Sequence, residues 1–315
     1  MQIIDAHHHL WDLSTCAYPW LQSASPDVGF LGDISAIRKS YTSADYRSDI
    51  GSLPVTGSVH VQAEHDPADP VAETRWLQAQ ADRPDGGGFP QAIVAFADFS
   101  KGNVEDILAR HAEFRNVRGI RQILSHHPDP TFSHADREFL KDPHWCARLS
   151  ALRTHNFSFD LQIYPHQVED ALSLIDSNPS ILFVINHALE PWSQSDNVIA
   201  CWSDGIKKLA RRENTVVKIS GLGMFIRPFS EDAIRFYVLA LLDIFGVNRC
   251  MVGSNFPVDK MFCSYGEIFS AFDRITRSLS TTEREALFSR TAERTYRLRD
   301  RQPGASEIAP CQPIG

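Results

Sequence analysis

The sequence contains no CxxC pair, although it has six cysteines, which lie apart at positions 16, 146, 201, 250, 263 and 311. This spacing excludes a zinc ribbon or a dithiol redox motif, and it predicts free thiols in a reducing cytosol. No hydrophobic run reaches the ~18 residues of a membrane-spanning helix, and no charged-then-apolar leader opens the chain. We therefore expect a cytoplasmic protein with no membrane partner.

Basic residues are also in deficit, since 31 Lys and Arg face 39 Asp and Glu and give a formal net charge of −8. Nucleic-acid binding depends on clustered Lys and Arg side chains, and the sequence has no such cluster. A glycine-rich phosphate turn after a strand is missing too, because Gly86-Gly87-Gly88 precedes a predicted strand. The sequence predicts a small-molecule substrate and no nucleic acid, and it leaves homo-oligomerisation open.

What the sequence does contain is a regular alternation of short apolar segments with amphipathic stretches. Eight alternations of strand and helix predict a parallel sheet, and eight strands close into a (β/α)8 (TIM) barrel. An open doubly wound sheet is the alternative, because periodicity does not prove closure. The predicted strands span residues 3–7, 58–63, 92–97, 118–124, 157–163, 181–186, 215–219 and 249–253.

This pattern leaves a long segment after the first strand and a Pro- and Gly-containing segment at the end. We expect residues 1–300 to form a single barrel domain with a cap around residues 11–57. Residues 301–315 are expected to be a flexible tail.

The first predicted strand ends in Asp5-Ala6-His7-His8-His9. Alternate side chains of a strand share a face. We therefore expect Asp5, His7 and His9 to point one way, toward the barrel mouth, and His8 to point the other way. Two imidazoles on one strand can hold a metal ion or polarise a carbonyl group. A chance cluster is the alternative.

Polar side chains occur at the ends of nearly all the other predicted strands. In a (β/α)8 enzyme the strand ends and the loops after them build the active site. Buried polar groups cost stability unless they are satisfied, so their repetition favours a substrate site over eight unrelated strand caps. These side chains are Gln62, Glu64, Asp98, Arg121, Gln122, Gln162, Tyr164, Asn186, His187, Lys218, Ser220, Ser254 and Asn255.

Several of these segments together resemble the amidohydrolase-related family, within it the branch of sugar-acid lactonases and the 2-pyrone-4,6-dicarboxylate lactonase. The resemblance rests on residues 4–12 (IDAHHHLWD), 61–64 (VQAE), 119–121 (GIR), the His187 strand and residues 253–258 (GSNFPV). It implies an amidohydrolase-type barrel that opens lactones with water, using residues on strands 1, 6 and 8. It also implies that Arg121 grips an acidic or polyhydroxylated substrate; an internal salt bridge to Asp98 or Glu64 is the alternative.

The chain departs from that family where a metal would be held. Strand 8 of the family usually ends in an Asp that activates water or ligates the metal, and here the position is Asn255. Strand 5 ends in Gln162-Ile163-Tyr164, where metal-dependent relatives present a His. A catalytic zinc needs about three protein ligands and an open position. His7 and His9 are secure ligands, His187 is a possible one, and no carboxylate is present at the usual place. We predict that no cofactor is required and that zinc or manganese binds weakly or not at all.

Without that Asp, another residue must activate the water. His187 is the first candidate, because a neutral imidazole is a competent general base near pH 7. Asp259 and Glu64 are the alternatives.

The remaining site residues are expected to bind rather than to take protons. His7 and His9 would donate hydrogen bonds to the developing oxyanion. Asn255 would orient the water or the substrate carbonyl. Substrate binding is assigned to Gln62, Arg121 and Tyr164.

The leading hypothesis is therefore a hydrolase that opens a lactone or similar cyclic ester of a small polar or acidic substrate. One alternative is a metal-dependent amidohydrolase or decarboxylase, because such enzymes share the barrel and the HxH motif. Another is a lactone isomerase or a non-hydrolytic relative, given Asn255 in place of the usual Asp. The sequence does not name the substrate.

Overall fold

The chain folds around one sheet of eight parallel strands whose spatial order follows the chain order. The computed structural model describes residues 1–25 and 27–298. All eight predicted strands are present, with ends that differ by a few residues. The strands are β1 (Ile3–His8), β2 (Val55–Val61), β3 (Ala92–Phe96), β4 (Val117–Arg121), β5 (Ser158–Leu161), β6 (Phe183–Ile185), β7 (Thr215–Ile219) and β8 (Cys250–Val252).

Backbone hydrogen bonds between β1 and the segment after β8 bring the two edges of the sheet together. The amide of His9 donates to the carbonyl of Phe256, and the amide of Asn255 donates to the carbonyl of His7, both at 2.7 Å. A Cβ atom on Gly253 would lie 2.8 Å from the backbone nitrogen of His7, so this approach requires glycine. The sheet is thus a (β/α)8 barrel. The barrel prediction is confirmed, and the open sheet is excluded.

Helices follow the strands and cover the outside of the barrel. Within residues 1–25 and 27–298, no helix is long and apolar enough to cross a bilayer. The helices are α1 (Pro19–Gln22), α2 (Ser43–Ile50), α3 (Ala72–Asp82), α4 (Val104–Ala112), α5 (Pro143–Arg148), α6 (Val168–Asp176), α7 (Asp196–Ala210), α8 (Leu222–Phe225), α9 (Glu231–Phe245), α10 (Tyr265–Ile275), α11 (Thr281–Glu285) and α12 (Thr291–Tyr296).

Helix α10 shows how local sequence sets these elements. A capping box begins it: the amide of Ser264 donates to the Glu267 carboxylate (2.7 Å), and the amide of Glu267 donates to the Ser264 hydroxyl (3.2 Å). Its buried residues recur every three or four positions, which puts one apolar stripe against the barrel. They include Tyr265, Ile268, Phe269, Phe272 and Ile275.

A long segment between β1 and β2 lies along the barrel mouth. It contains α1, the 3₁₀ turns Gly29–Leu31 and Ser35–Ile37, and α2. The Trp20 indole nitrogen donates to the Ala63 carbonyl (2.8 Å), and the Phe30 amide donates to the Thr131 carbonyl (2.9 Å). These bonds tie the predicted cap to the segments that follow β2 and β4. Residues 301–315, predicted as a tail, lie outside the described residues.

The barrel axis is filled in two layers. The lower layer is apolar and contains Ile4, Ala6, Val59, Val61, Val94, Val184, Val216 and Met251, together with Tyr296 of α12. Above it lies a buried ion pair, in which Lys218 Nζ is 2.6 Å from Asp160 Oδ2. The hydroxyl of Tyr296 and the side-chain Nδ2 of Asn186 also donate to this carboxylate. A buried charge needs such partners, and here the Asp160 carboxylate beneath the mouth has three of them.

Strand β1 contains an irregularity that changes which side chains face the mouth. Its register with β2 shifts between Asp5 and His8. Asp5 lies on the outer side of the sheet, where it accepts hydrogen bonds from the hydroxyls of Tyr46 (2.8 Å) and Tyr265 (3.1 Å). His8 is on the same side and stacks on Tyr46. The prediction that Asp5 shares a face with His7 is wrong, because an extra residue in a strand reverses the alternation.

Candidate active site

A cavity of about 290 Å³ opens at the carboxyl ends of the strands, where (β/α)8 enzymes carry their active sites. Its polar lining comes from strand ends and the loops that follow them, and its apolar lining comes largely from the cap. The polar residues are His9, Glu64, Arg121, Ser133, His134, Gln162, His187 and Asn255. The apolar residues are Trp11, Trp20, Val28, Phe30, Leu31, Ala63, Ile123, Met224 and Val258.

His7 lies beneath this cavity rather than in its wall. Its ring centroid is 4.4 Å from that of His187 and 5.1 Å from that of His9. Both of its ring nitrogens are buried without a hydrogen-bond partner. Burial holds the pKa of His7 well below 6.5, and the positive charge of Lys218 lowers it further. His7 is therefore a neutral ring with unused hydrogen-bonding capacity.

The tautomer of His9 is fixed by one hydrogen bond. His9 Nδ1 lies 2.7 Å from the carbonyl oxygen of Val61, which can only accept, so Nδ1 carries the proton. Burial, with the charge of Arg121, keeps the pKa of His9 well below 6.5, so the ring is neutral and Nε2 presents a lone pair. The prediction that His9 donates to an oxyanion is wrong for this tautomer; His9 is a hydrogen-bond acceptor.

Asn255 adds a second acceptor beside this lone pair. Its Oδ1 lies 3.3 Å from His9 Nε2, and its Nδ2 donates to Asp259 Oδ1 at 2.9 Å. The other Asp259 oxygen accepts from the amide of Gly223 at 3.0 Å. Burial raises the pKa of Asp259 to about 7. Asp259 does not line the cavity, so the structure places it behind Asn255, where it fixes the orientation of the amide.

His187 follows β6 on an unusual backbone. Residues 187–190 all have positive φ, with values of 51°, 54°, 61° and 43°. Such conformations cost roughly 1–3 kcal/mol each and occur where surrounding contacts enforce them. His187 Nδ1 lies 3.1 Å from the Ser220 hydroxyl, and a Cβ on Gly221 would lie 2.5 Å from the same nitrogen. Burial, with the charge of Arg121, holds the pKa of His187 well below 6.5. We call His7, His9, His187 and Asn255 the histidine end.

The opposite side of the cavity is organised around Arg121. Its Nη1 donates to Gln162 Oε1 at 2.8 Å, and its Nη2 donates to the Gln62 carbonyl at 2.5 Å, while its Nε has no partner. Gln162 Nε2 donates to Glu190 Oε1 at 2.7 Å, and the Ser125 hydroxyl donates to Glu190 Oε2 at 2.5 Å. Burial raises the pKa of Glu190 to about 7. This chain of bonds joins the ends of β4, β5 and β6.

Glu64 faces the cavity on the same side and is held by Gln62. Gln62 Nε2 donates to Glu64 Oε1 at 2.6 Å, and the amide of Glu64 donates to Gln62 Oε1 at 2.7 Å. Glu64 has a positive φ of 56° and is exposed through the cavity. The surrounding protein still raises the pKa of its carboxyl, although Gln62 and Arg121 oppose that shift. We call Arg121, Gln162, Glu190 and Glu64 the arginine end.

Two predicted substrate-binding residues lie outside the cavity wall. Gln62 is buried and holds Glu64 and Arg121. Tyr164 is also buried, and its hydroxyl donates to the Phe132 carbonyl at 2.5 Å, which anchors the loop after β4. The sequence reasoning did not single out Glu190, because it lies in a loop after the strand. A carboxylate only three residues beyond the His187 strand end was the available signal.

The fold and the position of the cavity define a (β/α)8 enzyme whose polar residues converge at the strand ends. The sequence profile of the Amidohydrolase family matches residues 4–298, and the chain belongs to that family, as the sequence predicted.

Similar proteins cover almost the whole chain. It is 40% identical over 299 residues to the uncharacterized protein y4mH of Sinorhizobium fredii, which covers 94% of this chain and 98% of that protein. It is 28% identical over 310 residues to an L-fucono-1,5-lactonase of Burkholderia ambifaria, covering 96% and 97%. A crystal structure of an amidohydrolase from Burkholderia multivorans with bound zinc superposes with a TM-score of 0.77 at 25% identity, covering 94% and 99%.

That relative contains bound zinc, so the fit of this chain's donor side chains to a catalytic zinc is of interest. A catalytic zinc takes about three His, Cys, Asp or Glu ligands and an open position. Although His7, His9 and His187 are neighbours, no three such side chains within residues 1–25 and 27–298 are placed so that they could hold one metal ion. The histidine end offers imidazoles and the Asn255 amide, but its nearest carboxylate, Asp259, is committed to Asn255 and Gly223. The residues present do not fit a tightly bound catalytic zinc.

Proposed function

We propose that this protein hydrolyses a lactone by direct attack of water. The observation that carries the proposal is a pair of acceptors at the histidine end: His9 Nε2 and Asn255 Oδ1, 3.3 Å apart, with no proton between them in the neutral tautomer. A group that offers hydrogens satisfies both, and the attacking water is such a group. Membership of the Amidohydrolase family and similarity to an L-fucono-1,5-lactonase support the same reaction.

In the proposed reaction the water is held between the two sides of the histidine end. It donates one hydrogen to the His9 and Asn255 acceptors and the other to His187. His187 takes its proton as the water oxygen attacks the lactone carbonyl, because a buried neutral imidazole accepts a proton without first losing one. The proton then passes to the ring oxygen as the carbon–oxygen bond breaks. Asp259 contributes by fixing Asn255, and His7 by packing under His9 and His187.

Arg121 holds the substrate in this scheme. Its guanidinium lines the cavity and keeps donor capacity beyond its bonds to Gln162 and Gln62. Its remaining N–H donors can hydrogen-bond the carbonyl oxygen of the substrate as negative charge develops on that oxygen. The same group orients the polar oxygens of the substrate.

We further propose that no metal is required. The donor count above supports this, and any zinc or manganese held by His7 and His9 is expected to be weak. Elemental analysis of the dialysed protein should find well under one equivalent of metal, with hydrolysis unaffected by a chelator. A full equivalent that survives dialysis, or activity abolished by the chelator and restored by zinc, would overturn the metal-free mechanism.

A panel of aldonolactones and pyrone carboxylates, followed by a pH indicator, tests the reaction itself. Acid release above the uncatalysed rate is expected for at least one compound, and magnetic resonance should identify the ring-opened acid. An isomerised lactone would instead indicate the isomerase alternative. No acid release above the uncatalysed rate from any compound of the panel would contradict hydrolysis. The metal-dependent decarboxylase alternative is not favoured, because the part of the chain that the structure describes contains no group of three side chains that could hold its metal.

We propose a cytoplasmic enzyme that acts on a small molecule and has no nucleic-acid or membrane partner, in keeping with its net charge of −8 and scattered cysteines. Fractionation of cells that express the native chain tests the location. Assembly into a homo-oligomer stays an expectation, which light scattering would measure.

A further inference from the structure

We propose that Glu64 makes the cavity select uncharged, polyhydroxylated lactones over lactones that carry carboxylates. This inference rests on the proposed lactone hydrolysis and narrows its substrate class. Its basis is the balance of charge among the side chains that face the substrate.

The described lining of the cavity contains one cation, Arg121, and one carboxylate, Glu64. The other ionisable lining groups are three imidazoles: those of the buried His9 and His187, and that of His134, which is exposed. The surrounding protein lowers the pKa of all three, so they are uncharged near pH 7. The pKa values of His9 and His187 lie well below 6.5, and that of His134 is lowered to about 4. With Arg121 and Glu64 both ionised, the formal charge of the lining is zero.

The charge of Arg121 is also balanced in part from behind the wall, by the ionised fraction of Glu190, whose pKa is raised to about 7. Gln162 must present its oxygen to Arg121, which only donates, and so its amide nitrogen points to Glu190. Glu190 is fully buried, and its negative charge favours the charged form of Arg121. The guanidinium is therefore partnered before a substrate arrives, and little uncompensated positive charge remains for a substrate carboxylate.

Glu64 is not free to move away from a carboxylated substrate. The Gln62 side chain forms two hydrogen bonds with Glu64: it donates to the Glu64 carboxylate and accepts from the Glu64 backbone amide. Gln62 is itself buried, and its carbonyl accepts from Arg121. A substrate carboxylate near Arg121 would thus meet a fixed like charge in the same wall, and like charges in a partly desolvated site repel strongly.

An uncharged lactone fits the same wall without that conflict. The Glu64 carboxylate can accept hydrogen bonds from substrate hydroxyl groups, and Arg121 can donate to the carbonyl or ring oxygen. The lining also includes the apolar rings of Trp11, Trp20 and Phe30. A ring with C–H faces and hydroxyl edges matches a cavity whose lining combines apolar rings with a few polar groups.

The test compares kcat/KM for an uncharged aldono-1,5-lactone with kcat/KM for 2-pyrone-4,6-dicarboxylate near pH 7.5. The native protein is expected to favour the uncharged lactone by on the order of a hundredfold. In Glu64→Gln, which keeps size and one acceptor, we expect kcat/KM for the dicarboxylate to rise about tenfold or more. Asp136→Asn removes an exposed charge from the loop after β4 and should leave both values unchanged.

A second variant guards against a folding defect. Glu64→Asp keeps the charge and should keep the preference for the uncharged lactone, even where its overall rate falls. A native preference for the dicarboxylate, or a selectivity unchanged in a folded Glu64→Gln protein, would overturn the role of Glu64.

Failure of the proposed function is distinguishable from failure of this inference. If the native protein hydrolyses neither lactone, hydrolysis is contradicted. Calorimetric binding of unreactive lactam analogues, one uncharged and one carboxylated, then decides the charge preference separately. Tighter binding of the uncharged lactam that weakens in Glu64→Gln supports the inference, and equal or tighter binding of the carboxylated lactam overturns it.

Discussion

At the histidine end of the cavity, uncharged groups keep unused hydrogen-bonding capacity, whereas at the arginine end charged groups are joined in a continuous chain of bonds. His7 has two ring nitrogens without partners, and His9 presents an unprotonated nitrogen beside the Asn255 oxygen. Arg121, by contrast, is linked through Gln162 to Glu190 and Ser125.

In the proposed reaction, the histidine end acts on the attacking water and the arginine end positions the substrate. A buried group without a partner is costly in the free protein, and the cost is recovered when water or substrate supplies the missing bond. A group that is already partnered keeps its position, so it defines where a substrate lies. Substitutions at the histidine end should therefore lower mainly kcat, and substitutions at the arginine end should raise mainly KM.

The largest effect is expected from His187→Ala. Removing the proposed base should lower kcat by roughly 10³-fold, the middle of the range for general base catalysis, with KM changed much less. Asp259→Ala, which removes the carboxylate behind Asn255, should lower kcat by about tenfold. Initial rates on the best lactone of the panel decide the order, and a larger loss in Asp259→Ala would reverse our assignment of the base.

A smaller effect is expected at the arginine end. Glu190→Leu removes the acceptor that fixes the Gln162 amide, so Arg121 should lose its orientation, and KM should rise about tenfold while kcat falls less. Glu190→Gln can accept from Gln162 and donate to the Ser125 hydroxyl, so its kcat/KM should stay within about threefold of native. Equal losses in both variants would mean that the charge of Glu190, rather than its hydrogen bonds, positions Arg121.

The smallest effect concerns stability rather than rate. The pKa of Glu190 is raised from 4.5 to about 7 in the folded protein, so between these values the folded state binds more protons than the unfolded state. This carboxyl therefore costs stability increasingly as the pH rises from about 4.5 to 7. Glu190→Gln does not titrate, and its free energy of unfolding should improve relative to native by at most about 3 kcal/mol from pH 5 to pH 8. Urea denaturation at the two pH values measures this, and a constant difference would contradict it.

Much of the fold was predictable because its signals are local. Each strand is a short apolar run bounded by turn residues, and all eight were located. The side chains at their ends, including Arg121, His187 and Asn255, do reach the cavity. The inner position of Asp5 was predicted wrongly, since the irregularity in β1 depends on its pairing with β2 and not on its own sequence.

The finer features of the site depend on contacts between distant segments. The proton on His9 is placed by the Val61 carbonyl, 52 residues away along the chain. Glu190 gains its role from Ser125 and Gln162, which precede it by 65 and 28 residues. Periodicity and motif spacing carry no information about such partners, and so an expected donor proved to be an acceptor.

The origin of the apolar wall has a consequence for engineering. Trp11, Trp20, Val28, Phe30 and Leu31 all come from one continuous segment, whereas the ionisable lining groups come from strand ends and the loops that follow them. Size and shape of the accepted molecule are therefore encoded separately from charge and proton transfer. Recombining residues 11–31 among relatives should diversify substrate range while leaving the reaction intact, because loops on a rigid scaffold tolerate exchange.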